Sequence, residues 1–353
     1  ENSLMTIAPK GLDQVFTAMC GTCAVECALK AAFMAHQHKM RGGAPFTEEE
    51  LTSCMKNLPP GSPNLSIMSF QGGFHGRLLG ALSTTRSKAI HKVDLPAFDW
   101  PVAPFPQIKY PLEQHAAHNA AEEERCIQAV RDTLIANPNC IAIVVEPIQG
   151  EGGDNEASPS FYRALREVTL ELDRFMVVDE VQTGGGNSGT WWVHEQWGLE
   201  TPPDAVTFAK KLQTAGFYHN INLRPSEAYR NFNTWLGDPV RAMMAGKIIE
   251  IAKRDNLLEN STITGKFLKD ELLKLSEQFP GLISNVRGRG TFMAFDAETP
   301  EKRDALVYNM RQAGVQTGGC GVRSIRLRPQ LVFTPTHAGV YLDTLEKVVK
   351  QMS

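Results

Sequence analysis

Three short apolar runs end in ionisable groups of complementary chemistry. "CIAIVVEP" (140–147) runs into Glu146 with Glu151 just beyond, "RFMVVDEV" (174–181) into Asp179 and Glu180, and "DAVTFAKK" (204–211) into Lys210 and Lys211. An amine condenses with an aldehyde, and a carboxylate keeps a ring nitrogen protonated. A Lys and an Asp at two strand ends therefore supply two functions that a pyridoxal phosphate enzyme needs. Each charge alone reads as a solvated loop residue. The three together read as a site, because ligands of open parallel sheets sit beyond the carboxyl ends of the strands.

A phosphate needs a cradle, and "MCGTCAVECALKAAFMAH" (19–36) places Gly21 and Thr22 where a helix begins. Backbone N–H groups and the helix dipole meet an anion there. "GGFHGR" (72–77) offers an aromatic, Phe74, able to stack on a planar ring. "GGGNSG" (184–189) spells the dinucleotide pattern, but "TWWVHEQWG" follows it rather than a phosphate-facing helix. His36 and His38, two positions apart on a helix, point to different faces and share no metal.

These residues must be held by a scaffold. Four runs, the three above and "LSIMSF" (65–70), are short, rich in Val, Ile and Phe, and bounded by turn residues, as buried parallel strands are. Glu146 and Asp179 are 33 positions apart and Asp179 and Lys210 are 31 apart, close to the ~30 residues of a βαβ unit. "SPSFYRALREVTLELD" (158–173) predicts the crossover helix, with Phe161, Leu165, Val168, Leu170 and Leu172 on its apolar side. Thr47 and Glu50 predict a capping box, and five prolines in 94–113 predict an extended surface connection. A long helical stretch over 240–260 and a further helix to about Gln278 lead away from the sheet into a remainder that reads as α+β. The expected architecture is α/β: a large domain with a mainly parallel sheet over 1–239, then a linker helix and smaller C-terminal domain over 240–353.

The chain has 353 residues, 36 Lys and Arg against 39 Asp and Glu, and a formal charge of −3, so no basic excess points to nucleic acid or an anionic membrane. No apolar run is long enough to span a bilayer. Seven Cys, odd in number and sparse, argue against a secreted disulfide framework. The first residues, "ENSLMTIAPKGLDQVF", carry no basic start, signal core or initiator Met and record no targeting.

"CGTCAVECALK", "FHGR", "VEPIQGEGGDN", "VVDEVQTGGG", "TFAKK", "FNTWLGDP", "VRGRGTF" and "GGCGVRSIRLRP" occur in one order along the chain. This set resembles the class III, fold type I aminotransferases, and among them the animal-type enzymes of 4-aminobutyrate. Most of that family's portion ahead of the phosphate turn has no counterpart here. The resemblance implies a pyridoxal phosphate-binding large domain and transfer of an amino group from 4-aminobutyrate to 2-oxoglutarate. It implies that Lys210 bonds the cofactor, Asp179 holds its ring nitrogen, Gln182 lies near its phenolic oxygen and Phe74 stacks on the ring. Gly21 and Thr22 would bind the phosphate, and Thr234 would reach the phosphate of a second subunit. Arg77 would grip the distal carboxylate of the substrate. Glu151 would pair with Arg326 until an α-carboxylate displaces it, avoiding an unpaired charge. A homodimer in the mitochondrial matrix is also implied.

Cys20 and Cys23 are half of a four-thiolate set, and by the same resemblance they would meet their symmetry mates in a [2Fe–2S] site between subunits; spacing alone equally fits a buried structural pair. Competing expectations are another ω-amino acid aminotransferase, of the β-alanine or ornithine type, and a non-catalytic relative of the fold. A nicotinamide-dependent oxidoreductase is the least favoured.

Overall fold

The computed structural model describes residues 2–353. Up to His219 the chain lays down β1 (Gln14–Ala18), β2 (Ser66–Phe70), β3 (Val102–Ala103) and β4 (Cys140–Val145). It continues with the hairpin arms β5 (Ile148–Gln149) and β6 (Asn155–Glu156), then β7 (Phe175–Asp179), β8 (Ala205–Phe208) and β9 (Ala215–His219). All but the hairpin form one sheet in the order β1-β9-β8-β7-β4-β2-β3. From β3 to β8 the pairing is parallel; β9 pairs antiparallel with β8, and β1 pairs antiparallel with β9.

The four apolar runs each contain one of the parallel strands because both faces of that sheet are covered. Met68, Phe70, Met176 and Val178 pack on one side with Phe161, Tyr162 and Leu165, whereas Ile67 and Val177 pack on the other against Ala28, Leu29 and Ala32 of the helix Gly21–Met40. The period of two in β2 and β7 is the pleat made visible. Helix Pro159–Glu171 starts as expected, with Ser158 Oγ accepting from Phe161 N–H and Pro159 in the first turn. Leu170, expected on its apolar side, is instead 48% exposed. The capping box at Thr47 and Glu50 is formed.

Two sequence expectations are corrected. The proline-rich connection is not only a surface strap: Val102 and Ala103 pair with Ser69 and Phe70, and Ala103 and Phe105 are buried. Proline tolerates an edge strand, which is what β3 is. The helical stretch over 240–260 is broken: one helix runs Pro239–Arg254, Asn256 takes a left-handed φ of 52°, and the next helix is Leu257–Gln278. Asn adopts that conformation at lower cost than most residues, so the break falls there.

Beyond these helices a second sheet forms from β10 (Ser284–Arg289), β11 (Phe292–Asp296), β12 (Gly318–Cys320) and β13 (Ser324–Leu327), antiparallel in the order β10-β11-β13-β12. Helices Leu257–Gln278, Pro300–Gln312 and Pro335–Met352 cover it with a core of their own, including Leu268, Leu272, Phe295, Leu306, Ile325 and Leu345. No helix is long and apolar enough to cross a membrane among the described residues.

Candidate active site

Parallel pairing brings the carboxyl ends of β2, β4, β7 and β8 to one side of the sheet. Asp179, the last residue of β7, and Phe74, Glu146 and Lys210, which come after β2, β4 and β8, line a cavity of about 580 Å³ together with Gly21, Thr22 and Gln182. A second cavity of about 810 Å³ shares Gln182, Lys210 and Gln213 with the first and adds Glu151, Lys211, Arg326 and Arg328.

Asp179 is buried and fully oriented. Its Oδ1 accepts from Thr207 Oγ1 at 2.9 Å and Val181 N–H at 3.0 Å, and its Oδ2 from His75 Nδ1 at 2.8 Å. A carboxylate has about four acceptor positions, so roughly one remains for a donor in the cavity. The buried Nε2 of His75 has no partner within the described residues.

Lys210 lies two residues after the end of β8 and takes a φ of 42°, a left-handed conformation that costs of order 1–3 kcal/mol in a non-glycine residue. Such strain persists only where the surroundings hold it. The side chain is reachable from the cavity, yet enough protein surrounds it that desolvation lowers its pKa, against the opposing pull of Asp179, Glu146 and Glu151. A lowered pKa leaves more of the amine neutral and nucleophilic. Lys211 turns elsewhere: its Nζ donates to the Pro329 carbonyl, and burial with Arg328 nearby lowers its pKa to about 8.

Glu146, flagged in the sequence as a strand end without a role, ties two loops. Its Oε1 accepts from Phe74 N–H at 2.8 Å and its Oε2 from Gly150 N–H at 3.3 Å. Burial, then the neighbouring Asp179 charge, raises its carboxyl well above the usual range.

A helix begins at Gly21, the turn read as a phosphate cradle. Helix Gly21–Met40 starts with no side-chain cap, so its first N–H groups open toward the cavity. A Cβ on Gly21 would come 2.5 Å from Val181 Cγ1, which makes glycine necessary for that close approach. An uncapped helix start, a stacking aromatic, a carboxylate with one open position and a desolvated Lys fit the phosphate, ring and aldehyde of pyridoxal phosphate.

Arg326 Nη1 donates to Glu151 Oε1 at 2.6 Å in the second cavity. Burial alone would raise the Glu151 carboxyl, but Arg326 holds it below its usual value. Two expected residues are not brought in. Arg77 is exposed, with its guanidinium 5.7 Å from the Phe74 ring centroid, and lines neither cavity. Thr234 is exposed ahead of helix Pro239–Arg254 and lines neither cavity. Cys20 and Cys23 lie with sulfurs 3.6 Å apart, Cys20 exposed and Cys23 buried. Among the described residues no group of three or more His, Cys, Asp or Glu could hold a metal ion. Sequence reading missed Arg241, on the wall of the first cavity, and Arg328, on that of the second. Arg328 stands two residues after Arg326, on the same side of an extended strand end, which was the available signal.

The family model for Aminotransferase class-III matches residues 1–349. The chain is 57% identical over 353 residues to the 4-aminobutyrate aminotransferase of Dictyostelium discoideum, covering 100% of this chain and 71% of that one. It is 49% identical over 351 residues to the mitochondrial 4-aminobutyrate aminotransferase of Homo sapiens, covering 98% and 70%. Among solved structures, a lysine aminotransferase from M. tuberculosis aligns with a TM-score of 0.86 and 30% identity, over 100% of this chain and 79% of that one.

Proposed function

This chain belongs to the class-III aminotransferases, and on that premise we propose that it transfers the amino group of 4-aminobutyrate to 2-oxoglutarate, giving succinate semialdehyde and glutamate. Relatives named 4-aminobutyrate aminotransferase match 98 to 100% of it at 47 to 57% identity. The observation that carries the reading is the Glu151–Arg326 pair beside Lys210, a cation whose carboxylate partner is replaceable by that of a substrate.

When bound, pyridoxal phosphate supplies the aldehyde that accepts the amino group and the ring that delocalises the electrons left when a proton departs. The chain does the rest. Gly21 and Thr22 bind the phosphate through backbone N–H groups, Thr234 of a second copy adds to them, and Phe74 packs on the ring. Asp179 accepts the hydrogen of the ring nitrogen and keeps it charged. Gln182 faces the ring oxygen. Lys210 bonds the cofactor at rest, then removes and returns the proton at the substrate carbon. Arg77, a planar bidentate donor that stands outside both cavities over Phe74, would turn inward to take the distal carboxylate. With 4-aminobutyrate bound, Glu151 keeps Arg326 paired; with glutamate or 2-oxoglutarate, the α-carboxylate takes its place.

The working unit in this reading is a homodimer of the mitochondrial matrix, as the names of the mammalian relatives suggest for the compartment. Two thiols per chain would complete a [2Fe–2S] ligand set only across a two-fold axis. About two irons and two labile sulfides per dimer, assayed after anaerobic purification, support that site; a folded dimer without iron after reconstitution rejects it.

The function is tested by the visible spectrum of the purified chain loaded with pyridoxal phosphate. Bleaching by 4-aminobutyrate and recovery with 2-oxoglutarate support it. Bleaching by β-alanine or ornithine alone assigns a different substrate, and an unresponsive band rejects catalysis.

A further inference from the structure

Gln182 lies on the wall shared by the two cavities, and its amide is held from both sides. On one side is Gly150: a Cβ there would fall 2.3 Å from Gln182 Oε1 and 2.7 Å from Nε2, so the amide lies flat against bare backbone. On the other is Arg328, whose Nε donates to Gln182 Oε1 at 3.1 Å. A guanidinium has donors and no acceptor, so it takes the amide by its oxygen and leaves both N–H donors of Nε2 for the cavity.

Arg328 is itself locked. Its guanidinium lies 3.3 Å from the centroid of the Phe292 ring, its Nη1 donates to the Leu327 carbonyl at 2.9 Å, and its Nη2 donates to Asp154 Oδ1. Asp154 is buried at the far end of the β5–β6 hairpin, where its N–H donates to the Gln149 carbonyl at 2.9 Å. One planar fork therefore spans the second sheet, the hairpin that carries Glu151, and the cavity wall. A Lys, with a single ammonium on a flexible stem, does not reproduce that span.

We infer that Arg328 is a positioning residue, which sets the orientation of the Gln182 amide so that the cofactor's ring oxygen meets a donor rather than an acceptor. The inference rests on the reading above that Gln182 faces that oxygen. A donor there stabilises the deprotonated oxygen, and an amide free to turn presents its own oxygen instead and favours the protonated form.

The test is the pH titration of the visible band of the holoenzyme, with no substrate present. Arg328→Lys keeps the charge and loses the fork; its midpoint rises by about one pH unit, a tenfold change in proton affinity. Gln182→Leu raises the midpoint similarly, and the double variant Arg328→Lys with Gln182→Leu goes no further than Gln182→Leu alone, as expected when one residue acts through the other. Additive shifts in the double variant, or a shift in Gln182→Leu with none in Arg328→Lys, overturn the positioning role and leave the placement of Gln182 standing. No shift in Gln182→Leu with cofactor bound overturns both. Where Arg328→Lys does not fold, Asp154→Asn removes the charged anchor of the fork and is held to the same outcomes.

Discussion

Arg326 and Glu151 are 175 positions apart in the chain and meet through a 2.6 Å ion pair, one from β13 of the small sheet and the other from the hairpin after β4. The pair is about a quarter exposed on each side, open enough for one carboxylate to replace the other. Glu151→Ala leaves Arg326 unpaired only when the substrate brings no α-carboxylate. The half-reaction with 4-aminobutyrate is expected to slow by about tenfold, the lower end for a lost charged hydrogen bond, with the glutamate half-reaction changed much less. Stopped-flow measurement of the two half-reactions decides it, and equal losses count against a replaceable partner.

Lys210 and Lys211 are adjacent in sequence but differ in what their amines can do. Lys210 opens on both cavities, whereas Lys211 donates to the Pro329 carbonyl and lines only the second. Lys210→Ala is expected to abolish turnover, and Lys211→Ala to keep cofactor on Lys210. Borohydride reduction followed by peptide mapping reads the attachment directly; a pyridoxyl group on Lys211 in the unaltered chain would falsify the assignment.

The strands that lead to Asp179 and Lys210 were legible because a parallel sheet buries both faces and leaves continuous apolar runs. The outer strands β1 and β9 gave no such signal: "QVFTA" is mostly half-buried, and "AGFYH" begins with Ala and Gly, poor strand formers. The pair Glu151–Arg326 came from motif resemblance, and spacing alone held nothing that would join a hairpin to a strand 175 positions on. Arg328 and Glu146 act on neighbouring side chains and backbone, and such contacts depend on tertiary packing that local pattern does not encode. Arg77 was expected at the substrate, and in this chain it stands outside both cavities, over Phe74.

Asp179→Asn keeps the shape of the side chain and removes its charge. One end of the amide then becomes a donor, and it faces either His75 or the Thr207 and Val181 donors, all of which a carboxylate accepts. Turnover is expected to fall on the order of a hundredfold, comparable to the loss of one preorganised electrostatic contact. Single-turnover rates measured with cofactor bound test the role, and an unchanged rate rejects it.

The last expectation concerns stability and its pH dependence. Arg287 is 4% exposed and Asp296 is 7% exposed. Arg287 Nη2 donates to Asp296 Oδ1 at 2.7 Å, while its Nε donates to the Asp154 carbonyl at 3.1 Å. Burial by itself would raise the Asp296 carboxyl, yet Arg287, Ser324 and Asn285 hold it below its usual value. A depressed carboxyl contributes stability that is present above the unfolded pKa of about 3.9 and is lost as pH falls through the folded value. Arg287→Met removes the cation and leaves the carboxylate buried, a change that costs about 3–5 kcal/mol in buried pairs. Urea unfolding at pH 7 is expected to show that loss. Near pH 4 the gap to the unaltered chain should narrow, because the buried, unpaired Asp296 of the variant takes up a proton and is relieved, while the depressed carboxyl of the unaltered chain stays charged and paired. A gap that stays constant between the two pH values would mean that Arg287 stabilises through its bonds to the hairpin carbonyls rather than through Asp296.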